Sequence, residues 1–287
     1  MRKSWIVITA AALVGVYALG EIGARLAGAT SFPIYVKDAT DGYRPAPNQR
    51  GALWRRNDWV YNERGMGVAA PFQPIGSLIV GDSETEGSVS FMKQADKVGP
   101  LLQQDTGAPV WPMGAKGWGL ANELDWLNAH PEVFELKRIM ILSNSGDFGP
   151  AHPWDDEILH PTHRPLLEIP YLLQKAFYRG DPLADDPPPT PESTRIWHEA
   201  LHRFLTAYHG QIVFILLPIQ SEVTRHFDGF NPLTTELAAE ARPSLFVIRI
   251  ADDPRWSPGL YHNEYHPGPA GNRELAAYVS HQLPAVN

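Results

Sequence analysis

Five short runs of aliphatic and β-branched residues, at 77–80, 108–111, 138–142, 211–217 and 244–250, are separated by longer stretches of helical character. No other feature constrains the fold as strongly. Each run is almost continuously apolar and is bounded by Gly, Pro or polar turns, the pattern of a strand buried on both faces. The stretches at 91–104, 120–129, 190–209, 233–241 and 269–283 read as helices. Strands alternating with helices pair in parallel and need cover on both sides. The expected fold is therefore α/β, a three-layer α/β/α sandwich around a five-stranded parallel sheet spanning 73–287. In such open sheets, ligands bind at the rim formed by the carboxyl ends of the strands.

Two segments fall outside this pattern. Residues 30–72 carry Pro33, Pro45, Pro47 and Pro71, several glycines and no apolar period, and read as a linker that wraps the domain. Residues 149–191 are rich in Pro, His, Asp and Trp. They are too long for an ordinary connection and read as an insertion over one rim of the sheet.

The first 29 residues address a membrane. Arg2 and Lys3 precede an uncharged apolar run from Trp5 to Gly20, followed by Glu21 and Arg25. As a helix this run spans roughly 24 Å, against a hydrocarbon core of roughly 30 Å, within reach of snorkelling flanks or local thinning. The positive flank at the start predicts a cytoplasmic N-terminus and a body on the far side, periplasmic or at the cell surface. A cleaved signal peptide is the competing reading, because Ala18-Leu19-Gly20 and Ala27-Gly28-Ala29 are small-x-small patterns. Anchored or secreted, the domain is exported. The net charge of −8 argues against a nucleic-acid partner. With no cysteine in the chain, disulfides, a thiolate nucleophile and Cys-ligated zinc are excluded.

The first strand runs into IVGDSETEGSVS, which places Ser83 at the carboxyl end of a buried strand just before a helix. There its hydroxyl faces the ligand rim, and the N–H groups of the turn can face an oxyanion. Asp82 and Ser83 also suit a plain helix cap. A serine nucleophile needs a base within hydrogen-bond reach. His266, in a Pro/Gly-rich loop directly before the last helix, is placed at the same rim. A loop histidine alone is ordinarily a surface residue, and the pairing of two rim positions from opposite ends of the domain is what singles it out.

These blocks resemble the SGNH (GDSL-type) serine esterases and acyltransferases. Gly81, Asp82, Ser83, Thr85 and Gly87 match the family's first block, with the nucleophile at Ser83. Gly114 and Gly117 match the second, where Pro112 stands in place of the usual Asn. Asn263, Glu264, His266, Pro267 and Gly271 correspond to the last. The resemblance implies a flavodoxin-like sheet of the SGNH-hydrolase type and an oxyanion hole from the N–H groups of Ser83 and Gly114. The third block departs from the family pattern: it reads SNSGDF, so the nearest amide for the hole is Asn144. For the residue that holds His266, Glu264 is the preferred acid and Asn263 the second candidate, with Asp147, Asp252 and Asp253 behind them. No cofactor is implied.

A rival motif is His198-Glu199-Ala200-Leu201-His202, an HExxH sequence of the kind found in zinc peptidases. Arg203 follows it, and a third ligand would have to be Glu222 or His209. His152, His160 and His163 in the insertion read as solvated loop residues before they read as metal ligands. Trp118 and Trp154 are candidates for stacking on sugar rings, whereas Trp126 and Trp197, at helical positions, belong to the core. The sequence thus points to an exported serine esterase or O-acyltransferase acting on an acyl ester, with polysaccharide as a candidate substrate. The alternatives are a catalytically weak carbohydrate-binding or polysaccharide-assembly protein and, further off, the zinc peptidase.

Overall fold

The computed structural model of the chain describes residues 2–178, 191–227, 229–240 and 242–285. Helix α1 (Arg2–Leu26) leads, and its large apolar side chains from Trp5 to Leu26 are exposed. Those 22 residues have a mean hydropathy of 1.9. Among the described residues this is the one helix long and apolar enough to cross a membrane.

Residues 30–72 contain strands that the sequence reading did not anticipate. β1 (Tyr35–Asp38) pairs antiparallel with β2 (Gly42–Pro45), and β3 (Gln49–Leu53) with β4 (Asn57–Tyr61). Among the described residues the two hairpins pair with no other strand. Their inward residues Tyr35, Tyr43, Trp59 and Tyr61 are buried, which holds the segment against the body.

The body is built on the parallel sheet of β5 (Ser77–Gly81), β6 (Val110–Gly114), β7 (Arg138–Asn144), β8 (Gln211–Leu217) and β9 (Leu245–Arg249), in the order β6-β5-β7-β8-β9. Numbered within the sheet this order is 2-1-3-4-5, the flavodoxin-like arrangement. β5 and β7 are buried along their whole length, as their unbroken apolar character requires. Alternate residues feed opposite faces. Leu78 and Val80 enter the core under α4 (Leu120–Ala129) and α6 (Pro191–Ala207), while Ile79 enters the core under α3 (Val98–Thr106) and α9 (Pro269–Gln282). Trp126 and Trp197 are buried in the first of these cores.

Two boundaries differ from the sequence reading for identifiable reasons. β6 runs through Pro112 to Gly114, because on an edge strand a proline's missing N–H need not face a partner. The stretch expected as one helix at 91–104 is a 3₁₀ turn (Gln94–Asp96) followed by α3. Further helices are α5 (Glu168–Phe177) in the insertion, then α7 (Gln220–Arg225) and α8 (Asn231–Glu240). The single turn α2 (Ser83–Glu86) follows β5 directly. Of the insertion expected at 149–191, residues 179–190 lie outside the described residues.

Candidate active site

β5 ends at Gly81, and the chain turns at once into α2. Asp82 caps that turn, its carboxylate accepting from the N–H of Glu84 at 3.0 Å. The capping role belongs to Asp82, and the Ser83 hydroxyl stands 3.5 Å from the carboxylates of both Asp82 and Glu84. Ser83 Oγ lies 2.7 Å from Nε2 of His266, which the loop before α9 brings back across the sheet.

The other ring nitrogen meets the second of the two candidates that the sequence offered to hold the histidine. Asn263, not Glu264, faces it: Asn263 Oδ1 is 2.9 Å from His266 Nδ1. The same oxygen accepts from the backbone N–H groups of Tyr265 and His266, at 3.1 and 2.9 Å. Two backbone donors fix the amide with its oxygen inward, so Nδ1 carries the proton and Nε2 presents its lone pair to Ser83. The Glu264 carboxylate instead accepts from the N–H of Ser221 at 3.1 Å. Asp147 accepts from the N–H of Asn144 at 2.7 Å, and Asp253 accepts from the N–H and side chain of Arg255, so each has a structural partner of its own. Asp252 stands 4.0 Å from Arg249.

His266 is held below the ordinary imidazole pKa, chiefly because burial penalises the cation. The Asp82 charge opposes this shift, while Lys116 and His262 add to it. Phe91 packs on the histidine side, stacked on His262 at 3.8 Å and edge-on to His266 at 6.0 Å. Beneath the turn, Glu84 and Glu123 are driven toward their neutral forms, first by burial and then by the Asp82 charge.

Gly114, at the end of β6, is in register with Gly81. A Cβ at Gly114 would fall 2.5 Å from the Gly81 carbonyl and 2.7 Å from that of Asp82, so only glycine lets the two strand ends meet. Asn144 is engaged otherwise than the sequence implied. Its amide donates to Asp82 Oδ2 at 3.2 Å and its Oδ1 accepts from Gly146 N at 2.7 Å, which makes it a strut under Asp82.

Ser83 and His266 open onto a cavity of about 260 Å³. Its walls come from three parts of the chain: Glu86 and Lys116 from the sheet rim, Phe32 and Tyr35 from the N-terminal segment, and Ile158 and Lys175 from the insertion. Sequence reasoning missed Glu86. One turn beyond Ser83, it accepts from the hydroxyls of Tyr35 at 2.7 Å and Tyr61 at 3.0 Å and from the N–H of Lys116 at 2.6 Å. Burial and this carboxylate push both phenols well above their ordinary pKa. The signal was present in the pattern Tyr-x₂₅-Tyr within a segment otherwise read as linker, but nothing in the sequence ties it to Glu86.

The remaining candidates do not line this cavity. His198 is 3.7 Å from Glu236, and Glu199 pairs with Arg195 along the exposed side of α6. Among the described residues no three His, Asp or Glu side chains are grouped to hold a metal ion. His160, expected in solvent, is buried between the rings of Tyr35 and Tyr43, with Asp155 and the Lys116 carbonyl each 2.8 Å from a ring nitrogen. Trp118 is also buried, donating to the Tyr43 carbonyl at 2.7 Å, and has no face left for a sugar. Trp154 packs against the core under Lys37, whose ammonium sits 3.2 Å from the ring centre.

No family model and no curated protein match the chain. Its solved neighbours include GDSL-type lipolytic proteins and carbohydrate esterases. A Desulfitobacterium hafniense protein assigned to the G-D-S-L lipolytic family is 16% identical, with a TM-score of 0.47 over 74% of this chain and 100% of its own. A family two carbohydrate esterase from Clostridium thermocellum, solved with cellohexaose, is 11% identical, with a TM-score of 0.43 over 75% of this chain and 66% of its own. An acetyl xylan esterase from Butyrivibrio proteoclasticus is 13% identical, with a TM-score of 0.44 over 74% of this chain and 64% of its own.

Proposed function

We propose that the chain is an exported, membrane-anchored serine esterase or O-acyltransferase of the SGNH type. Residues 1–29 form its anchor, 30–72 a wrapping segment and 73–287 the catalytic body. The observation that carries this reading is the 2.7 Å approach of Ser83 Oγ to His266 Nε2, at the carboxyl end of a parallel sheet and at the wall of a cavity.

The chemistry follows from the tautomer. With Nδ1–H donated to Asn263, Nε2 accepts the Ser83 proton as Oγ attacks an ester carbonyl. The oxyanion of the tetrahedral intermediate takes hydrogen bonds from the backbone N–H groups of Ser83 and Gly114. When the intermediate collapses, the imidazolium returns its proton to the leaving alkoxide and the acyl group stays on Ser83. His266 then removes a proton from water, giving an acid, or from a sugar hydroxyl, giving a new ester. Asn263 orients the ring without neutralising the imidazolium, and the charge that favours that cation is the Asp82 carboxylate. A cavity of about 260 Å³ suits a short acyl group better than a fatty one.

The test is hydrolysis of short-chain aryl esters by the detergent-solubilised full chain, with and without an oligosaccharide acceptor. The expected result is acyl release, and acyl transfer if the acceptor competes with water. Binding of oligosaccharide without release from any short-chain ester would instead support a saccharide-binding protein. Activity lost to a chelator would move the case to HEALH.

A further inference from the structure

Helix α5, in the insertion, has two faces of opposite kind. On one, Tyr171 packs its ring 5.2 Å from that of Phe32, and Lys175 lines the Ser83 cavity. On the other, Pro170, Leu173 and Phe177 follow at i, i+3 and i+7, continuing from Leu166 and Leu167 just ahead of the helix. These apolar side chains are turned to solvent, with Leu166 89% and Phe177 77% exposed.

What lies beside this stripe is the exit of α1. The Glu21 carboxylate accepts from the N–H groups of Glu168 and Ile169, at 2.7 and 3.2 Å, and so caps α5 from another helix. Arg25 donates to the Leu166 carbonyl at 2.8 Å and pairs with Glu168 at 3.4 Å. A Cβ on Gly20 would come within 3.0 Å of Ile169 Cδ1, so the glycine that ends the apolar run is also where α5 seats. The start of α5 is therefore fixed at the level where the uncharged span stops. That span is roughly 6 Å shorter than a typical hydrocarbon core, and the local thinning that such a mismatch induces brings this level to the headgroup boundary. Beyond it, Ile22 and Leu26 of α1 are themselves exposed.

We propose that α5, with Leu166 and Leu167 ahead of it, lies in the outer interface of the bilayer that α1 crosses, immersing Leu166, Leu173 and Phe177 and holding the Ser83 cavity against the membrane surface. The occupant of the stripe is phospholipid, at the boundary of headgroup and acyl chain, as for in-plane amphipathic helices. The proposal rests on the membrane-anchor reading and adds to it a second, lateral contact.

The chain contains no cysteine, so a single introduced thiol labels one site. Full-length protein carrying Leu173→Cys or Phe177→Cys, labelled with an environment-sensitive nitrobenzoxadiazole dye, is reconstituted into phosphatidylcholine–phosphatidylglycerol vesicles containing a lipid with a nitroxide high on its acyl chain. Ala11→Cys on α1 and Val247→Cys, on the strand at the opposite edge of the sheet from β6, are the references. The expected result is blue-shifted emission and loss of about half or more of the signal at 173 and 177, as at 11 and unlike 247. If 11 is quenched while 173 and 177 behave as 247 does, α1 is inserted and the lateral contact is refuted. If 11 also behaves as 247 does, the anchor reading itself fails and this proposal with it.

Discussion

Asn263 and His266 are joined by two hydrogen bonds to one oxygen, from the ring Nδ1 at 2.9 Å and from the backbone N–H at 2.9 Å. The group that orients the imidazole is thus neutral and is held by the same turn that carries the histidine. Asn263→Ala is expected to lower kcat by about 10- to 100-fold with KM little changed, because the ring loses its fixed tautomer while the cavity keeps its walls. Glu264→Gln is expected to stay within about threefold of wild type, since its oxygen can still accept from Ser221 N. Steady-state kinetics on a short aryl ester separates the two, and the reverse ranking would restore Glu264 as the acid.

The pH profile carries a second expectation. Burial lowers the His266 pKa, so the neutral, base-competent ring persists to lower pH than an ordinary imidazole. The acid limb of kcat/KM is expected to have its midpoint below the usual histidine value of about 6.5, with activity rising through that midpoint and level above it. Asn263→Asp places a carboxylate against Nδ1, favours the imidazolium and is expected to move the limb to higher pH. A limb that Asn263→Asp leaves in place would mean that another group is titrating.

Glu86 ties the N-terminal hairpins to the turn that carries Ser83, through Tyr35 and Tyr61. Glu86→Gln can keep both phenols on its oxygen, but its amide nitrogen then faces the Lys116 N–H, donor against donor. A loss of about 1–3 kcal/mol is expected, read as a lower unfolding midpoint of the full chain in detergent. An unchanged midpoint would show that the wrapping segment is not held there.

The five central strands were legible because β5 and β7 lie between two helical layers, which forces them to be apolar on both faces. The hairpins were not. Their strands are four or five residues long and, among the described residues, each pairs only within its own hairpin; Pro45 ends one and Gly51 interrupts another, so the alternations Tyr43–Pro45 and Trp59–Tyr61 are too short to mark a strand. Ser83 and His266 could be read because each sits where a strand or loop meets a helix at the sheet rim. The choice between Asn263 and Glu264 turned on which side chain the loop directs inward. Asparagine is the better former of a turn in which the side chain accepts the N–H two or three residues on, and that preference was available in the sequence. The burial of Trp118 was not: it depends on the Tyr43 carbonyl, 75 residues earlier in the chain.

The central claim is that Ser83 is a nucleophile activated by His266. It is tested most directly by a serine-directed fluorophosphonate on the full chain, read by intact mass and peptide mapping alongside ester hydrolysis. The account predicts one adduct, on the peptide holding Ser83. Ser83→Ala should abolish the adduct and lower kcat by about 10⁴- to 10⁶-fold in a protein that still folds. An adduct on another residue, or hydrolysis that persists in Ser83→Ala, would contradict it.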